Sequence, residues 1–229
     1  MSHVNNRGFT LIELMLAMSF IAVLLLAIAM TVIQISNIYN RGLTLKDVNQ
    51  AGRSLTNELQ RSIAISPPFA IDYPAPDSKF IDTSTGGRLC VGQYSYIWNY
   101  GKSLLAGDAN NKYSSPSAPA IRFVKVPDSL GGYCTVPHSS IAAAGAVELL
   151  DVGDLSLAIH GFHITTESTA SDSNTKQSLY YISFIIGTNE AAALDANTTC
   201  KPPGSAGSNE NYCSVNQFDI VVRTGNAVQ

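Results

Sequence analysis

The chain has 229 residues, 45% of them hydrophobic, and a formal net charge of −3. That length holds one sizeable core with an appended element rather than two full domains. A slightly acidic balance gives no overall basic field, so composition offers no support for general nucleic-acid binding.

Charge is unevenly distributed from the start. No Asp, Glu, Lys or Arg occurs from Leu14 to Asn40, and Leu14–Ile33 is almost wholly apolar. As a helix that segment measures roughly 30 Å, the thickness of a bilayer's hydrocarbon core. A removable secretory signal is one reading: Ala27-Ile28-Ala29 fits a small-x-small cleavage pattern, with Met30 as the new terminus, and Arg7 supplies a positive n-region. The apolar run, however, outlasts the usual span of about 7–15 residues and continues through Thr31-Val32-Ile33. A plain membrane anchor is the second reading, and it leaves Glu13 unexplained. A carboxylate costs on the order of 2.5–3.5 kcal/mol at the bilayer centre and less near an interface. A partner removes the objection. Cleavage between Gly8 and Phe9 would set a new α-amino group about one helical turn from Glu13, and between neighbouring subunits such a pair fixes axial stagger.

These residues resemble a known signal. RGFTLIELMLAMSFIAVLLL, starting at Arg7, is similar to the class III signal of type IV prepilins and type II secretion pseudopilins: a short leader ending in glycine, then Phe9-Thr10-Leu11-Ile12-Glu13, then a long apolar helix. The resemblance implies a leader of residues 1–8, cleavage after Gly8 by a membrane-embedded aspartyl prepilin peptidase, methylation of Phe9, and a role for Glu13 in docking subunits into a filament. It further implies a precursor in the cytoplasmic membrane with its C-terminal domain outside, and a final place in an extracellular pilus or a periplasmic pseudopilus. The partners implied are other pilin or pseudopilin subunits, the peptidase and methyltransferase, and an assembly platform. No cofactor is expected. Counting positive charges, Arg7 against Arg41 and Lys46, mildly opposes this orientation, which rests on the resemblance.

Residues 9–40 are expected as the transmembrane, filament-core helix and 41–66 as its amphipathic continuation. Val48, Ala51, Leu55, Leu59 and Ile63 recur at three- or four-residue spacing, with Lys46, Asp47, Gln50, Arg53, Asn57 and Arg61 on the other faces. The helix should end near Ile65, before Pro67-Pro68, and Gly42 marks a candidate bend. LTNELQRSI, Leu55 to Ile63, also resembles the corresponding helix end of PilW-type minor pilins and J-type minor pseudopilins, although any amphipathic helix could supply that pattern. The apolar run lacks the proline that many major pilins carry there.

Residues 67–229 read as a β-rich globular domain. Candidate strands are Leu89–Tyr100, Ile121–Val126, Val147–Val152, Leu155–Thr165, Leu179–Gly187 and Gln217–Thr224, separated by segments of loop composition. The expected fold class is α+β: a long N-terminal helix packed on an antiparallel sheet, pilin-like in arrangement. Cys90, Cys134, Cys200 and Cys213 form an even set in a translocated domain, which favours two disulfides, with three pairings arithmetically open. Cys90–Cys134 and Cys200–Cys213 is the favoured set. The second bridge would close the Pro-, Gly- and Ser-rich loop 200–213, contributing about 3 kcal/mol in the chain-entropy model, and resembles the C-terminal disulfide loop of many pilins.

No catalytic signature emerges, and an enzyme is not expected: G-x-S-x-G, H-E-x-x-H and phosphate-binding glycine loops are missing from the sequence. No metal is expected either, since the cysteines lack C-x-x-C spacing, and His160 and His163, three apart on a strand, should face opposite ways. Asp108-Ala109-Asn110-Asn111 is a calcium-ligand candidate better read as a turn, and Asn197-Thr198-Thr199 is a lone sequon. Tyr94, Tyr96, Trp98 and Tyr100 alternate along one strand face, where packing against the long helix is the expected use over ligand or base stacking. The functional expectation is a minor pilin or pseudopilin that initiates, caps or decorates a filament. A major subunit, a membrane-tethered binding protein and a secreted enzyme are the alternatives.

Overall fold

The computed structural model describes residues 10–72, 77–105, 113–114, 121–135, 140–141, 145–150, 156–166, 177–195 and 199–225. One helix, α1 (Leu11–Ala64), runs unbroken through Gly42, and its 54 residues extend about 80 Å. It ends at Ile65, whose N–H bonds back to the Ile63 carbonyl, just ahead of the Pro67-Pro68 pair. The predicted stripe is the buried one: Val48, Ala51, Leu55, Leu59 and Ile63 are each at most 1% exposed.

Two antiparallel sheets, rather than the single sheet anticipated, meet that stripe. The larger comprises β1 (Phe80–Asp82), β2 (Gly86–Val91), β3 (Tyr94–Asn99), β4 (Phe123–Pro127) and β5 (Val147–Glu148), paired in chain order. The smaller comprises β6 (Leu157–Thr166), β7 (Leu179–Thr188) and β8 (Val215–Arg223), also in chain order. The segment expected as one strand, Leu89–Tyr100, is a hairpin. Val91 pairs with Tyr94 across a two-residue loop, and Gly92 takes the positive φ of 59° that primed hairpin turns demand at their first central position. The strand anticipated over Val147–Val152 is a two-residue pairing, with Asp151 and Val152 outside the described residues. Two short helices, α2 (Gly101–Leu105) and α3 (Gly132–Thr135), complete the order.

Aromatic side chains join the layers. Trp98 of β3 stacks on Phe123 at 5.5 Å and meets Phe162 of β6 at 4.4 Å. Phe162, Phe184 and Phe218 are cross-strand partners over β6, β7 and β8, their centroids 6.0 and 5.6 Å apart. The row ends under α1 at Gly52, where an added Cβ would stand 2.0 Å from the Phe218 ring. Only a glycine lets helix and sheet approach that closely. The outer face of the larger sheet buries a second cluster, Ile97, Ile121, Val124, Val126 and Ile141, beneath Tyr113, Tyr133 and Ala146.

The structure joins Cys90 to Cys134 and Cys200 to Cys213. The first ties β2 to α3, and the second closes the loop that leads into β8.

Replacing Gly52 by Leu should lower stability by about 1–3 kcal/mol through overpacking, read as a reduced Tm. Combining it with Phe218→Ala should cost less than the sum of the two single changes, because both act on the same contact. Strict additivity would contradict the proposed contact.

Candidate functional site

The feature that sets this chain apart is how its helix divides. From Thr10 to Tyr39 every described side chain is exposed, including Leu11, Ile12, Met15, Phe20, Leu24 and Ile28. This is the sole described helix long and apolar enough to cross a membrane, and none of its most apolar stretch is buried within the molecule. Such a surface needs a lipid or protein covering. The two hydroxyls within Leu14–Ile33 are satisfied inside the helix: Ser19 donates to the Leu16 carbonyl, and Thr31 to the carbonyls of Ala27 and Ile28. That back-bonding makes them tolerable in hydrocarbon.

Glu13 closes the N-terminal end. Its carboxylate accepts from the Thr10 N–H at 2.9 Å and from the Thr10 hydroxyl at 2.7 Å, while its own N–H donates to the Thr10 hydroxyl oxygen at 3.4 Å. This is a capping box, which satisfies otherwise orphaned donors of the first turn. Sequence reasoning gave Glu13 an electrostatic task between chains and did not foresee this local one, although Thr10 and Glu13 stand at the offset of a capping box. Gly8 and Phe9, the predicted processing residues, lie outside the described residues.

Where the apolar run ends, the Cys200–Cys213 loop grips the helix. The Asn40 side-chain amide donates to the Tyr212 hydroxyl, the Thr44 hydroxyl to the Asn211 backbone carbonyl and the Asn211 side-chain amide to Asn37 Oδ1. Asn37, Asn40 and Thr44 fall at helical spacing on one face, a polar stripe that was readable in the sequence but has meaning only once the loop is beside it.

Further along α1, Glu58 is the hub of a contact to the larger sheet. Its carboxylate takes the Lys125 ammonium at 2.6 Å and the Tyr96 hydroxyl at 2.8 Å, and the Ser62 hydroxyl lies against Tyr96. Lys125 also sits 3.7 Å above the Tyr94 ring. Burial pushes the Glu58 carboxyl up, but the Lys125 ammonium and the Tyr96 and Ser62 hydroxyls outweigh it and hold Glu58 below its ordinary value. The phenol of Tyr96 is pushed well up, first by burial. The aromatic stripe of β3 therefore packs against the helix and the second sheet, as expected: Tyr96 and Trp98 are buried, and Tyr94 and Tyr100 lie partly buried at the edge of the core. Within Leu55–Ile63, the segment read as similar to minor pilins, Leu55, Leu59 and Ile63 are core residues and Glu58 is the acid that meets the sheet.

The histidines part company by a route that simple alternation does not capture. A bulge at His160 interrupts β6; its ring is largely buried against Gly101 and Asn189, with Nε2 3.1 Å from the Thr188 carbonyl. His163 is exposed on the outer face. No group of three or more potential metal ligands occurs among the described residues, while Asp108–Asn111 and Asn197-Thr198 lie outside them.

Comparison with family models, with curated proteins and with solved structures returns no match. The class of protein that the structure defines is therefore coarse: an α+β chain with one helix able to anchor it in a membrane and a disulfide-bonded β-domain.

Glu58→Gln should lower stability by roughly 1–2 kcal/mol at neutral pH, since a charge-assisted bond is lost from a partly buried site. A carboxyl held below its ordinary value of 4.5 stabilises the fold above that value, and the contribution disappears as pH falls through the lowered one. Denaturation at a series of pH values should accordingly show the wild type and Glu58→Gln converging in acid; a gap that persists below the carboxylate range would rule the network out as its source.

Proposed function

We propose that this chain is a subunit of a filament of the type IV pilin or type II secretion pseudopilin kind, most simply a minor one that initiates, caps or decorates the polymer. The observation that carries the proposal is the division of α1, with half its length locked to a domain and the other half apolar on every side. In the precursor, lipid covers the exposed half in the cytoplasmic membrane. After cleavage behind Gly8 and methylation of Phe9, the same surface packs against the helices of other subunits. An unsymmetrical, head-to-tail contact of this sort propagates into a filament instead of closing into a ring.

Glu13 then has two successive tasks. In the isolated chain it caps its own helix, and in the filament its charge meets the free amine of a neighbouring Phe9. The short, purely local nature of the capping box supports this order, because nothing in the folded domain holds Glu13 in place. No catalytic constellation enters into the proposal.

N-terminal mass spectrometry of the mature protein tests it directly. The expected species begins at N-methylated Phe9; an intact Met1 would favour a tethered binding protein, and a chain starting at Met30 a released one. Two substitutions separate the tasks of Glu13. Glu13→Gln preserves a capping box and removes the charge, whereas Glu13→Ala removes both, at a cost to the helix end of about 1 kcal/mol. Processing should continue in both variants while co-purification with partner subunits falls in both. Normal assembly of Glu13→Gln would leave capping as the residue's sole use.

A further inference from the structure

The loop closed by Cys200–Cys213 and the helix beside it enclose a polar cleft of about 570 Å³. Gln34, Asn37 and Arg41 line it from one face of α1, and Ser205, Asn209 and Glu210 from the loop. Two opposite charges thus face one space. They do not neutralise each other: among the described residues the ion pair formed is Lys125–Glu58, and neither Arg41 nor Glu210 takes part in it.

The height of the cleft says what could fill it. If Leu14–Ile33 occupies the hydrocarbon core, Gln34 begins the interfacial layer, which is about 5–8 Å thick on each side. Arg41 lies eight residues beyond Ile33, about 12 Å along the axis. Helical side chains lean toward the N-terminus, and a long guanidinium reaches back along the helix, so Arg41 can address a group at phosphate level. The amides of Gln34 and Asn37 sit within that level, and the Ser205 hydroxyl and Asn209 amide hang beside them.

We propose that this cleft holds the head group of a membrane phospholipid of the phosphoethanolamine type while the chain is in the bilayer. Arg41 and the neighbouring amides take the phosphate, and Glu210 takes the primary ammonium. A purely anionic head group would meet Glu210 with like charge, and a quaternary choline would offer that carboxylate no N–H donor. The site rests on the membrane-anchored reading but not on cleavage or filament formation. On assembly the same residues would exchange the lipid for whatever lies beside them, so the head group belongs to the precursor stage.

The full-length chain, reconstituted in nanodiscs containing equal parts phosphatidylethanolamine, phosphatidylcholine and phosphatidylglycerol, can be extracted gently and its retained lipid read by native mass spectrometry. Retention of the ethanolamine lipid over either of the others by roughly tenfold is the expected result, the size of one charge-assisted hydrogen bond. Glu210→Gln should abolish the preference over choline while lipid is still held, Arg41→Gln should lose retention altogether, and Arg53→Gln, an exposed change elsewhere on the helix, should behave as the wild type. A chain that inserts yet retains the three lipids equally overturns the site alone. A chain that stays outside the discs overturns the anchored reading, and the site with it.

Discussion

One helix carrying two different solvation requirements is the constraint on which everything else rests. Below Tyr39 the side chains of α1 are exposed all round, and above it a stripe from Val48 to Ile63 is sealed against two sheets. Because a helix transmits its rotation from one turn to the next, fixing the upper half fixes the bearing of the lower. The upper half is fixed three times over: Gly52 rests on Phe218, Glu58 binds Lys125 and Tyr96, and the Asn37–Thr44 face is held by the disulfide loop. The exposed surface is thus offered in one orientation relative to the domain.

The domain is built to keep that register. The rings of Phe162, Phe184 and Phe218 cross the smaller sheet in one row, and Trp98 couples the row to the larger sheet. A shift of any strand by one residue would turn a ring out of the core and break the row. The helix lies at the end of this chain of contacts, so the accuracy of its seat depends on strand pairing in the smaller sheet, whose β7 and β8 lie against it. The hydrogen bond from the Gly225 N–H to the Ser66 carbonyl fastens the far end, where β8 and α1 finish together.

Much of this was legible in the residues. The 3.6-residue period of Val48 through Ile63 identified the buried face, and Pro67-Pro68 located the helix end, because both signals are local. Of the two disulfides, the Cys200–Cys213 bridge was argued from the composition of the loop it closes, while the pairing as a whole was a preference among three open sets. What escaped was non-local or small. Gly92-Gln93 is a weaker hairpin signal than Asn-Gly, so two strands read as one, and the three residues of β1 are too short to show a period. Division into two sheets depends on which strands find each other across long connections, about which alternation is silent. His160 looked like a regular strand position until its bulge was seen, and Glu58 drew no notice because its partners Lys125 and Tyr96 come from another element. Glu13 was read for a task between chains, and its bond to Thr10 three residues earlier was overlooked.

The alignment of β8 with the helix has a mechanical consequence. Asn216 bonds Asn49, Phe218 sits at Gly52 and Gly225 reaches Ser66, so strand and helix run side by side in the same direction. A pull along the rod from its apolar end would load these contacts together, in shear, rather than one after another as in peeling. The molecule is proportioned like a nail whose head is glued along its shank, a shape suited to bearing tension.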